Sequence, residues 1–222
     1  MLLSTSQSII SVKQQSINSL QLVQGRAFFG MLFHNCFGNA RLIVLISSAI
    51  IEDIKQMHEP GPPLLGYYYF DFRDALKRDV RGLLTSILMQ LCDASDHCSH
   101  ILSRLYTEYK SGSEHPSDAT LTQCLKNMLD LPGQVPVYLI VDALDECPNN
   151  TGTPSAREKV LDFVEDLVQS RHSNLSICIT SRPEQDINSI LDPLTSPSTR
   201  VSLHEEDGHK ITLNPFAWRP LC

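Results

Sequence analysis

No aspartate or glutamate occurs among the first 51 of the 222 residues, where Lys13, Arg26 and Arg41 are the only charged side chains. The net charge of −7 is therefore a segment of +3 set against about −10 in the remainder. A chain this acidic, with no basic stripe, is not built around nucleic acid as its main partner. There is also no C-x-x-C pair. The seven cysteines, Cys36, Cys92, Cys98, Cys124, Cys147, Cys178 and Cys222, are odd in number and scattered, which suits reduced thiols better than a disulfide framework or a zinc site. No apolar run approaches the roughly 20 residues that span a bilayer. The longest, Leu42 to Ile51, is interrupted by Ser47 and Ser48. The Ser- and Gln-rich start shares the acid poverty of a transit peptide but lacks its arginines, so a cytoplasmic location is expected. Internal repeats of the 20 to 50 residue class are missing as well.

What is present is ordinary globular composition, 42% apolar and 19% charged, in a length that suits one domain, at most two. From Met1 to about Gly38 neither a helical period nor a strand pattern is visible. From Ile46 to Met57, Ile50, Ile51, Ile54 and Met57 recur at helical spacing, and the segment stops at Pro60, Gly61, Pro62 and Pro63. Leu64 to Phe72 is a continuous β-favouring run of the kind found in a buried parallel strand. Helices are predicted over 79–93, 97–109 and 118–130. Beyond them strands at 135–141 and 175–180 alternate with helices at 155–170 and 184–191, and a last strand is predicted over 200–203. Alternation of apolar strands with amphipathic helices predicts an α/β domain with a mostly parallel sheet.

Two strand ends carry the chemistry. The run Val137-Tyr138-Leu139-Ile140-Val141 ends in Asp142, followed by Ala143-Leu144-Asp145-Glu146-Cys147. A carboxylate closing a buried parallel strand lies at the sheet edge where α/β proteins bind ligands. Asp142 there suits magnesium held through water, and Asp145 or Glu146 suits a general base that polarises an attacking water. An acidic surface loop is the plainer alternative. The second strand ends in Thr180-Ser181-Arg182-Pro183. Thr180 or Ser181 can hydrogen-bond a terminal phosphate and Arg182 can neutralise it, or Arg182 can pair structurally with Asp145 or Glu146. His97, His100, Cys92 and Cys98 lie close in sequence, but their spacing fits no common zinc pattern. Cys147 and Cys178 read as small buried residues.

Together these segments resemble the NACHT class of P-loop NTPases, in particular the fungal type with a nephrocystin 3-like N-terminal domain, a STAND-class architecture. The residues that carry the resemblance are Ser47-Ser48-Ala49-Ile50-Ile51-Glu52-Asp53-Ile54, Gly66-Tyr67-Tyr68-Tyr69-Phe70-Asp71-Phe72, the Walker B-like Leu139 to Cys147, the sensor-like Thr180-Ser181-Arg182-Pro183-Glu184, and Val201-Ser202-Leu203-His204-Glu205-Glu206. The resemblance implies a three-layer α/β sandwich, switch-like signalling controlled by Mg-ATP or Mg-GTP, and repeat modules downstream. It also implies catalytic roles for Asp145 and Glu146, with nucleotide and magnesium contacts from Asp142, Thr180, Ser181 and Arg182.

One motif is missing. A phosphate-binding loop reads G-x-x-x-x-G-K-[ST], in which backbone N–H groups, a lysine and a hydroxyl hold the phosphates and magnesium. The nearest string, Gly25-Arg26-Ala27-Phe28-Phe29-Gly30-Met31-Leu32, lacks the lysine and hydroxyl and lies too far upstream. The family's lysine and serine positions hold Leu42 and Ile43, with Arg41 and Gly38 the only nearby cation and glycine. The expected organisation is an unrelated, poorly ordered leader at 1–43, a partial domain at 44–210 that is incomplete at its N-terminal strand and phosphate-binding loop and lacks its helical lid, and an irregular tail at 211–222. Its expected function is a signalling or scaffold fragment that binds ATP or GTP poorly and works through protein partners or self-association. The alternatives are an active magnesium-dependent ATPase switch and a non-functional fragment of a disrupted gene.

Overall fold

The computed structural model describes residues 28–33, 40–56, 62–109, 114–133, 135–150, 152–195 and 200–202. Five parallel strands form one sheet, β1 (Phe28–Phe33), β2 (Leu64–Tyr69), β3 (Val137–Asp142), β4 (Leu175–Ser181) and β5 (Arg200–Ser202), in the order β2-β3-β4-β1-β5. Between them run α1 (Ala40–Lys55), α2 (Val80–Ala94), α3 (Asp96–Glu108), α4 (Asp118–Leu129), α5 (Ala156–Gln169) and α6 (Gln185–Leu191).

Side-chain alternation along β3 explains why its six residues are all buried. Val137, Leu139 and Val141 face the larger core under α2 to α6, whereas Tyr138 and Ile140 face a smaller one under α1. Helix α1 covers its face with Ile50, Ile51 and Ile54, each at most 5% exposed, and burying such side chains stabilises by about 1.5–3 kcal/mol apiece. Helices α2 to α5 start where the sequence supplies a cap. Asp79 accepts from the Gly82 N–H at 2.8 Å, Ser117 accepts from Thr120, and Ser155 with Glu158 completes a capping box.

Several boundaries differ from those read in sequence. Strand β1 lies in the stretch without a visible strand pattern, and it sits between β4 and β5. Helix α1 begins at Ala40, six residues before the helical period becomes visible. Strand β2 ends at Tyr69 because the chain turns at Asp71, whose carboxylate accepts from the Arg73 backbone N–H at 2.9 Å. Residues 1–27, the Gly38 position and 203–222 lie outside the described residues, and with them the expectations for most of the leader and for the tail.

Candidate functional site

The connection from β1 runs one way across the sheet and that from β4 the other. The carboxyl ends of β1 and β4 are therefore the topological switch point of the sheet, the position where ligands bind in open α/β sheets. Helix α1 closes one face there, and Asp142, the last residue of the neighbouring β3, is 1% exposed beside it.

One carboxylate oxygen of Asp142 gathers the site. Its Oδ1 accepts a hydrogen bond from Thr180 Oγ1 on β4 at 2.5 Å and a second from Ser47 Oγ on α1. Thr180 Oγ1 in turn accepts the Ala143 N–H at 3.0 Å. Burial pushes the Asp142 carboxyl above the usual carboxylate range; the two hydroxyls pull it down, and nearby Asp145 pushes it further up. Ala143 adopts a left-handed backbone at φ 55°, a conformation that costs a residue with a Cβ roughly 1–2 kcal/mol. This bend turns the chain out of β3 into a short 3-10 turn, Leu144–Glu146, that carries the next two acids.

Asp145 and Glu146 diverge from there. The Asp145 side chain is 6% exposed and bound on both oxygens by Arg182, whose backbone N–H donates to Oδ1 at 3.0 Å and whose Nε lies 3.4 Å from Oδ2. The structural pairing weighed for Arg182 is thus formed with Asp145. Glu146 is held more loosely, by the Phe72 N–H at 3.4 Å, and burial raises its pKa. Ser181 is buried but turns its hydroxyl onto the Arg182 carbonyl at 2.8 Å. The Asp142–Thr180 and Asp145–Arg182 pairs therefore lie at one sheet edge, with Glu146 beside them and the Ser181 hydroxyl engaged by the Arg182 carbonyl.

Two residues of this edge were not picked out as site residues from sequence. Ser47 belongs to the stripe Ser47, Ile50, Ile51 and Ile54, and a hydroxyl on an otherwise apolar stripe is the signal that a polar partner waits across the interface. Arg157 is the other. Its side chain is 6% exposed, its Nε donates to the Cys147 carbonyl at 2.9 Å and its Nη2 to the Asp145 carbonyl at 2.6 Å. Its Nη1 pairs with Glu184 and, at 3.1 Å, with Asp186. Burial works against the charge on Arg157, but the two carboxylates outweigh it and raise its pKa. One side chain thereby ties the acidic turn after β3 to the segment after β4. A cation in the first turn of a helix, where the helix dipole disfavours it, was the available hint.

Four of the described thiols are held in their protonated form by burial. Burial pushes Cys147 and Cys178 up to about 12 and Cys92 and Cys124 up to about 11, so little thiolate is present at neutral pH. Among the described residues no three His, Cys, Asp or Glu side chains are grouped to hold a metal ion, and no helix is long and apolar enough to cross a membrane.

Residues 44–182 match the family described as nephrocystin 3, N-terminal. The chain belongs to that family. A solved structure shares the fold of this nephrocystin 3 N-terminal domain. The domain is similar to the ORC2 protein of Aeropyrum pernix in its ADPNP–ADP complexes, with a TM-score of 0.51 and 10% identity over 88% of this chain and 46% of that one. Drosophila ORC bound to DNA aligns at a TM-score of 0.47 and 12% identity, over 89% of this chain and 41% of that one. The domain thus spans less than half the length of either structure. It has an α/β, P-loop-like fold, with Asp142 at the end of its third strand. No match was found among curated protein sequences.

Proposed function

We propose that this nephrocystin 3 N-terminal domain is a signalling domain of the nucleotide-binding type that holds Mg-ATP or Mg-GTP poorly and works through protein contacts. The observation that carries the reading is where α1 meets Asp142. In a working phosphate site the amino end of the helix after β1 would face the phosphate, and the strand-end carboxylate would help to hold magnesium. Here Ser47 meets Asp142, and α1 has already run from Ala40. Seven residues at 1.5 Å each put the helix start about 10 Å beyond the carboxylate. The wall of the helix faces Asp142, and its amino end does not.

The residues present do not fit the family's magnesium-phosphate group as they stand. Oδ1 of Asp142 is already used by two hydroxyls, and Leu42 and Ile43 occupy the lysine and serine positions. Asp142, Thr180 and Ser47 accordingly read as a structural tie between α1, β3 and β4, and Asp145 with Arg182 as a structural pair. Protein partners rather than nucleic acid suit a chain with a net charge of −7.

An active ATPase switch is the second reading, favoured by the convergence of Asp142, Thr180, Arg182 and Glu146 on one edge. Thermal unfolding separates the two. A ligand present at 100 times its Kd stabilises by about 2.7 kcal/mol, several degrees in midpoint for a domain of this size. The proposal predicts no such shift with millimolar Mg-ATP or Mg-GTP. A shift of that size that disappears in Asp142→Ala establishes the switch instead.

A further inference from the structure

Among the described residues, strand β2 is the outermost on its side of the sheet. Leu64, Gly66 and Tyr68 turn their backbone groups toward β3, as the bonds from the Leu64 N–H to the Pro136 carbonyl and from the Phe70 N–H to the Asp142 carbonyl fix. Backbone groups alternate in direction along a strand, so those of Leu65, Tyr67 and Tyr69 point away from the sheet. Such an edge is a template for another strand, and proteins blunt it with lysine, proline or a bulge. The Leu64–Tyr69 sequence, LLGYYY, has neither a charge nor a proline.

At the middle of this edge a side chain takes the place of a strand. The Gln90 Oε1 accepts the Tyr67 N–H at 3.0 Å, and its Nε2 donates to the Tyr67 carbonyl at 2.8 Å. A carboxamide is chemically a peptide unit, and these are the two bonds that a residue in a hydrogen-bonded antiparallel pair exchanges with its partner. Ser86, one turn earlier on α2, steadies the amide by accepting from Nε2 at 3.0 Å. Met89, beside Gln90 in sequence, is 55% exposed, so α2 carries bare apolar surface next to the residue that closes the edge.

We propose that Gln90 is a latch on the open edge of the sheet, and that the partner it excludes is a second copy of this chain, paired β2 to β2 in antiparallel fashion. The edge is self-complementary. A two-fold axis at Tyr67 sets Tyr67 opposite its copy and Leu65 opposite the copy's Tyr69, which gives about six strand bonds across the pair in place of the four that the two copies of Gln90 make. The latch is independent of whether nucleotide binds, since it lies on the helix after β2 and touches none of the residues around Asp142.

The test is Gln90→Leu, which keeps the bulk and removes both bonds. Sedimentation over a concentration series is expected to show self-association at least about tenfold stronger than that of the native chain. Hydrogen exchange over residues 64–70 is expected to speed up in the dilute variant and to slow as it associates. Unchanged sedimentation, or association with no concentration-dependent slowing over 64–70, overturns the proposal. If Gln90→Leu does not fold, Gln90→Glu serves. It keeps the acceptor for the Tyr67 N–H but has no donor for the Tyr67 carbonyl, so intermediate association supports the latch and native behaviour refutes it.

Discussion

Replacing Arg157 by alanine removes four interactions at once, and the structure shows which of them matter. Glu184 and Asp186 are 41% and 31% exposed, so water and salt re-solvate them when the guanidinium goes, and that part of the loss is small. The Cys147 and Asp145 carbonyls are different. Each gives up a hydrogen bond to a charged donor, at 2.9 and 2.6 Å, beside a Cys147 that is itself fully buried. Bonds of this kind contribute about 1.5–3 kcal/mol each, so the expected destabilisation from the two is about 3–6 kcal/mol. For a domain of this size that is a fall in the thermal midpoint of roughly 6–24 °C. Thermal unfolding followed by circular dichroism reads it directly. Arg157→Lys is expected to recover part of the loss by keeping the charge near Glu184 and Asp186, but not the fork that reaches both carbonyls. A midpoint for Arg157→Ala within 2 °C of the native chain would refute the claim that this side chain holds the acidic turn.

Two further outcomes follow from the geometry. At Gly82 an added Cβ would lie 2.4 Å from the Leu76 carbonyl oxygen and 2.6 Å from the Tyr68 hydroxyl, so Gly82→Ala is expected to cost about 1–3 kcal/mol in denaturant unfolding, and a neutral effect contradicts the packing. Asp142 has a raised folded pKa, so above the ordinary value of 3.8 the folded state keeps a proton that the unfolded chain has released, and stability falls as pH rises through that window. Asp142→Asn cannot ionise, and its midpoint relative to the native chain is expected to rise from pH 4 toward neutrality; parallel curves would show that Asp142 titrates normally.

The sequence made the middle of the fold legible because β2, β3 and β4 are continuous apolar runs closed by polar residues, a pattern that needs no tertiary context. Strand β1 was not legible for the opposite reason. Its six residues include Gly30, and its place is set by β4 and β5, more than 140 residues away along the chain. The start of α1 was hidden because Leu42 to Leu45 are all apolar and show no period. At the site, Asp142, Thr180 and Arg182 were found because strand ends announce themselves, and the pairing of Arg182 with Asp145 was one of the two arrangements open to it. Ser47 and Arg157 were missed as site residues because each acts across an interface between elements far apart in sequence, Ser47 with Asp142 and Arg157 with Glu184.

The central claim, that the sheet edge beside Asp142 holds a nucleoside triphosphate poorly, is tested most directly by titrating the chain into a fluorescent ATP analogue with magnesium and following anisotropy. The account predicts no saturation up to about millimolar protein, weaker than roughly −4 kcal/mol of binding. Saturable micromolar binding that Asp142→Ala abolishes would contradict it.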